Sequence, residues 1–240
     1  MRRSRLILVA FFVAFPLFAQ AQFPAPWPKA LVPERFWETL VTGNETYVAG
    51  ALPYTGLAMQ RKDSAGDQHP PVTVLSCSDS RVPPELVFGR AIDDLFVVRA
   101  AGSVADTFGI ASIEYAIDHR WTILIVVLGH ERCGAVTEAL KPGQPGTRAL
   151  RALVRRIRKS FPTDIKKGKK RDYVREAVIA NAKASADYIV LKSKVIGDAV
   201  RDHNVGIVVA YYPMVSGKVE RIPWDPASAR EEVTAHGTRR

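Results

Sequence analysis

The chain has 240 residues, 47% of them apolar and 24% charged, proportions that suit one globular domain with a sizeable core and exclude a disordered chain. Its formal charge is +10, and a basic chain can attract nucleic acid or anionic lipid. The densest basic cluster, KKGKKR from Lys166 to Arg171, carries no interleaved aromatic residues to stack on bases, so it reads as a solvated loop and no nucleic acid is expected as partner.

The first segment, MRRSRLILVAFFVAFPLFAQAQ, opens with Arg2, Arg3 and Arg5, continues as an apolar run and reaches small residues at Ala19 and Ala21. That order is the pattern of a secretory signal peptide over residues 1–21, cleaved near Ala21. The apolar run is shorter than the about 20 residues of a spanning helix, and Pro16 interrupts it. No stable membrane anchor is therefore expected after cleavage, and the mature chain is expected to be periplasmic or secreted. Residues 22–35 form a Pro-rich lead-in, residues 36–226 the folded domain and residues 227–240 a polar tail.

ERFWETLVTGNETYVAG places apolar residues at helical spacing as far as Gly43-Asn44, which reads as a helix stop, and RKDSAGDQHPP reads as a polar loop. PVTVLSC and WTILIVVLGH are β-branched runs, apolar at successive positions, as parallel strands buried on both faces are. DLFVVRA and VGIVVAYY fit shorter strands. Helical patterns lie between them: TFGIASIEYAIDH, GTRALRALVRRIRKSF and one long stretch, VREAVIANAKASADYIVLKSKVIGDAVRDH. The alternation predicts a single α/β domain with a mainly parallel central sheet flanked by helices.

Chemistry-bearing residues gather at two predicted strand ends. Cys77 closes the first core strand within CSDSR, and His130 closes the second, followed three positions later by Cys133. Ligands of open α/β sheets collect at the carboxyl ends of strands. Read as the first turn of a helix, His130 and Cys133 share one side. Gly129 and Gly134 then provide the close backbone approach of a tight strand-to-helix turn. Two thiolates and an imidazole make a three-ligand zinc set with the fourth tetrahedral position open. Asp79 can accept a hydrogen bond from a group in that position or bind the metal itself, and Arg81 can clamp Asp79 in bidentate fashion. In an oxidising compartment a disulfide between Cys77 and Cys133, and an ordinary ion pair between Asp79 and Arg81, are the competing readings.

CSDSRVPPE together with VLGHERCGA closely resembles the paired motif of the β-class carbonic anhydrases, and the similarity continues through TGNETYVAG, FVVRAAGS, SIEYAI and AYYPMVSGKVERI. The resemblance implies zinc (Zn2+) held by Cys77, His130 and Cys133, an Asp79–Arg81 dyad, and reversible hydration of CO2 to bicarbonate and a proton. It also implies an N-terminal helical arm, assembly as a homodimer or dimer of dimers, and a state in which Asp79 becomes the fourth metal ligand and activity is lost. Gln68 falls where the family has a glutamine that hydrogen-bonds substrate. Phe96, Ala101 and Tyr115 fall at pocket-wall positions, often supplied by the neighbouring subunit. Two departures stand out: Glu131-Arg132 after the histidine, and Val74 where members with a non-catalytic bicarbonate site carry tryptophan. A hydrolase of carbon disulfide or carbonyl sulfide on the same scaffold, and a non-catalytic zinc-binding or disulfide-bonded interaction protein, are the rival functions.

Overall fold

The computed structural model describes residues 33–51, 54–165, 170–202 and 205–225. The leader, most of the Pro-rich lead-in, residues 166–169 of the basic cluster and the C-terminal tail lie outside the described residues, while Lys170 and Arg171 of that cluster begin α7.

The chain runs α1 (Pro33–Val48), α2 (Leu57–Asp63), β1 (Val72–Ser76), α3 (Pro84–Val87), β2 (Leu95–Arg99), a 3-10 turn (Ala101–Ser103), α4 (Thr107–Asp118), β3 (Leu124–His130), α5 (Gly134–Leu140), α6 (Arg148–Arg158), α7 (Lys170–Lys192), α8 (Lys194–Asp202), β4 (Gly206–Tyr212) and β5 (Glu220–Ile222). The five strands form one sheet in the order β2-β1-β3-β4-β5. Its first four strands are parallel, and β5 pairs antiparallel with β4. The predicted α/β architecture is therefore present, with β5 as an edge strand that the sequence reading did not foresee.

Every residue of β1 and β3 is buried, because helices cover both faces of the central strands. Val72 and Val74 pack with Trp37 and Leu40 of α1 and with Phe88. The opposite face carries Leu75 against Ile113 of α4, Ala182, Ala186 and Ile189 of α7 and Ile196 of α8. Each large aliphatic side chain enclosed this way contributes about 2 kcal/mol of transfer free energy.

Gly43-Asn44 is not a helix stop. α1 continues through both residues to Val48, because each makes a tertiary contact that only its side chain allows. A Cβ on Gly43 would stand 1.9 Å from the Phe88 carbonyl oxygen, so glycine is what lets α1 seat against the segment after α3. Buried Asn44 donates from Nδ2 to the carbonyls of Val87 (2.8 Å) and Gly217 (2.9 Å) and accepts the Val219 N–H at Oδ1 (2.9 Å). One side chain thus joins α1, α3 and the β4–β5 connection.

Two further boundaries differ from the sequence reading. The polar stretch from Arg61 begins inside α2 rather than in a loop. The long C-terminal helical stretch divides at Ser193 into α7 and α8. Ser193 Oγ accepts the Ile196 N–H (3.0 Å) and donates to the Glu114 carboxylate on α4, so the break is a built helix start.

Candidate metal centre

In-register parallel pairing sets Ser76 of β1 beside Leu128 of β3. Strands about 4.8 Å apart then deliver Cys77, one residue past β1, and His130, the last residue of β3, to neighbouring positions at the carboxyl edge of the sheet. Cys133 joins them from the start of α5. The two sulfurs and an imidazole nitrogen all lie within 4.8 Å of one another. All three side chains are buried, His130 completely. A four-coordinate zinc with bonds of about 2.0–2.3 Å needs ligand atoms somewhat under 4 Å apart, a spacing this cluster reaches by small side-chain adjustments.

The route by which His130 and Cys133 converge is not the predicted helical turn. His130 is still in β3, Arg132 takes a left-handed conformation (φ 56°), and Cys133 precedes α5 with extended backbone (φ −60°, ψ 117°). The Glu131 N–H donates to the Tyr212 carbonyl (2.8 Å), and Glu131 Oε2 accepts the Met214 N–H (2.9 Å), tying this turn to the end of β4. The flanking glycines also act differently from expectation. A Cβ on Gly129 would lie 2.8 Å from Val178 Cγ1, so this glycine admits α7 to the back of β3; a Cβ on Gly134 would meet nothing within 4 Å.

The imidazole is oriented for metal binding. His130 Nδ1 lies 2.9 Å from the Glu131 carbonyl. Because a carbonyl only accepts, the proton sits on Nδ1 and the Nε2 lone pair faces the cluster. Nε2 is buried and has no hydrogen-bond partner, an arrangement costing about 1–3 kcal/mol unless something ligates it. The cysteines are free thiols rather than a disulfide. Hydrogen bonding from Cys133 holds the Cys77 thiol down at about 4 against the cost of burial. The same bond, together with burial, pushes the Cys133 thiol up. The two thiols are thus coupled through one shared hydrogen bond. The Gly102 N–H also donates to Cys77 Sγ (3.2 Å).

Asp79 faces this cluster, its Oδ2 lying 3.9 Å from His130 Nε2. Arg81 grips it with two parallel bonds, Nε to Oδ1 (2.9 Å) and Nη2 to Oδ2 (2.7 Å), and adds its own backbone N–H to Oδ1 (3.0 Å). Those Arg81 hydrogen bonds hold the Asp79 carboxyl far below the usual carboxylate range, leaving an acceptor-only group beside the cluster at neutral pH. Arg99, at the end of β2, donates to the carbonyls of Cys77 (3.0 Å) and Asp79 (2.7 Å). It fixes the backbone on both sides of the carboxylate. Sequence reading passed over Arg99 and Gly102; their place at the end of a third parallel strand was the available clue.

The other sequence-selected residues divide into two groups. Ala101 is exposed on the 3-10 turn next to Gly102. Phe96 pairs with Thr73, four residues before Cys77, which is about 13 Å along the strand from its own chain's cluster. Tyr115 packs beside Phe96 with ring centroids 6.4 Å apart and is half exposed. Gln68 is exposed at the same end of the sheet, where the neighbouring His69 N–H binds Asp93 just ahead of β2. The structure gathers the metal set and the dyad, and leaves Gln68, Phe96 and Tyr115 at the opposite end of the strands.

Comparison with known proteins adds a family. Residues 72–219 match the family model described as carbonic anhydrase. A carbonic anhydrase of Mycolicibacterium smegmatis is 34% identical over 192 residues, covering 78% of this chain and 92% of that protein. The β-carbonic anhydrase CafA of Aspergillus fumigatus superposes with a TM-score of 0.64 at 22% identity, over 83% of this chain and 97% of that one. A tetrameric β-carbonic anhydrase from Sordaria macrospora gives a TM-score of 0.64 at 22% identity, over 78% and 97%.

Proposed function

The chain belongs to the carbonic anhydrase family, with the fold of the β-class, and from that premise we propose that it catalyses reversible hydration of CO2 to bicarbonate and a proton at a zinc ion held by Cys77, His130 and Cys133. The observation that carries the reading is the buried Nε2 of His130, oriented by its Nδ1–H bond and without a hydrogen-bond partner, converging with two cysteine sulfurs. A Cys2His set is a donor set that zinc accepts, and zinc bound there supplies Lewis acidity at an open fourth position.

The chain's own residues do the rest. Arg81 keeps Asp79 ionised and turned so that it can only accept a hydrogen bond, and the carboxylate would orient an O–H group of a reactant that enters beside the cluster. Because Arg81 occupies both carboxylate oxygens, Asp79 is also restrained from becoming a ligand itself. Arg99 holds the loop that carries the dyad.

We also read the functional unit as at least a homodimer, in which Gln68, Phe96 and Tyr115 of one copy line the pocket of another. Supporting this are their distance from their own cluster and the outer edge of β2, which no strand pairs with among the described residues and whose residues are partly buried or, at Arg99, exposed. Export to the periplasm or medium is the reading that the leader's residue pattern supports. Among the described residues no helix is long and apolar enough to cross a membrane.

Zinc analysis of the purified full chain tests the proposal. One zinc per chain is expected, with Cys77→Ser losing both the metal and CO2 hydration. A variant that retains activity without zinc would overturn it.

A further inference from the structure

The 3-10 turn beside the cluster holds two successive residues in left-handed backbone, Gly102 (φ 73°) and Ser103 (φ 54°). For serine this region costs on the order of 1 kcal/mol or more, and it persists only where the surroundings over-determine it. They do so here. The Ser103 N–H donates to the Ala100 carbonyl (2.9 Å), and its Oγ donates to the Leu128 carbonyl on β3 (2.7 Å). A Cβ on Gly102 would stand 2.9 Å from Ile157 Cδ1 and 3.3 Å from Ala135 Cβ, a crowding the Ile157 tip could relieve, so it is the φ above all that favours glycine. The last tie comes from α7, where Asn181, only 4% exposed, donates from Nδ2 to the Gly102 carbonyl at 2.6 Å. All of this backbone is held in place at the spot where one N–H points at a cysteine sulfur, Gly102 to Cys77 Sγ at 3.2 Å.

We propose that Asn181 is a positioning residue for the metal centre: by holding the Gly102 carbonyl it keeps the Gly102 N–H on Cys77 and so limits how much charge that sulfur donates to a bound metal. The proposal rests on the cluster being a metal site. An N–H aimed at a thiolate draws charge from the sulfur, and hydrogen bonds of this kind tune the metal behind the ligand. In a set with two thiolates the effect favours a more acidic metal. Without the Asn181 amide, the peptide after Gly102 is held at its N–H end alone, by the Ser103 bond to Ala100, and its freed carbonyl can swing and carry the Gly102 N–H off the sulfur.

The test replaces zinc with Co2+ in the full chain and reads the sulfur-to-cobalt charge-transfer absorption of wild type, Asn181→Leu and Asn181→Ala, with circular dichroism to establish folding. A richer sulfur donor moves that band to lower energy. Both variants are expected to show a red shift of that band from wild type. A folded variant that is less stable but absorbs where wild type does shows Asn181 to be structural only and overturns the proposal. Leucine preserves the volume and alanine relieves any strain, so if one fails to fold the other decides. Absence of a charge-transfer band in the wild type would overturn the metal site itself, an outcome distinct from an unshifted band.

Discussion

Truncating Asn44 to alanine removes the clamp that joins α1 to α3 and to the β4–β5 connection. The amide satisfies the Val87 and Gly217 carbonyls and the Val219 N–H, and it is itself buried. Each hydrogen bond contributes about 1 kcal/mol net, and a buried group left without its partner costs about 1–3 kcal/mol. Three lost bonds therefore set a cost of at least about 3 kcal/mol. Alanine returns roughly 0.6 kcal/mol, because asparagine is the poorer helix former. The net expectation is about 2–4 kcal/mol, which for a domain of this size lowers Tm by roughly 5–15 °C. Thermal and urea unfolding of wild type and Asn44→Ala, at matched metal loading, measure it. Zinc content should be unchanged, because the clamp touches none of the three ligands. A destabilisation below 1 kcal/mol would show that water replaces the amide and that the clamp does not hold the helix.

Arg81→Ala frees Asp79 while leaving all three ligands in place, so zinc should remain bound and CO2 turnover should fall about 10- to 100-fold; a zinc-replete variant with wild-type turnover would reduce the guanidinium to a structural role. Ser193→Ala removes the cap at the start of α8 and its bond to Glu114, an expected loss of about 1 kcal/mol in urea unfolding, and an unchanged midpoint would contradict the capping role. Gly129→Ala puts a methyl 2.8 Å from Val178 Cγ1. Because that neighbour is a side chain which can turn aside, the cost should stay at about 1–3 kcal/mol, with a stability equal to wild type showing that α7 does not press on β3.

How much of this was legible in the sequence depended on whether a residue's role was local. β1 and β3 were readable because strands buried on both faces need unbroken apolar, β-branched runs, and Val72–Ser76 and Leu124–His130 supply them. The convergence of Cys77, His130 and Cys133 was readable because side-chain chemistry picks them out and strand ends locate them. Gly43-Asn44 was misread because the pair signals a stop only where nothing else engages it. Its partners lie as far as 173 residues away, and tertiary bonding overrides the local preference. The geometry between His130 and Cys133 was misread for a related reason: three-residue spacing fits one helical turn, but the bond from Glu131 to Tyr212 at the end of β4 bends the chain first. Asn181 gave no sign of its role, being one polar residue in a helix rich in alanine, with its partner 79 residues away.

The central claim, that this cluster makes the chain a hydrating enzyme, is tested most directly by stopped-flow measurement of CO2 hydration on the purified chain loaded with one zinc per protomer, beside Cys133→Ser handled identically. The account predicts hydration well above the uncatalysed rate in the loaded wild type, and none above it in the variant. A wild-type chain carrying its full complement of zinc yet adding nothing to the uncatalysed rate would contradict it.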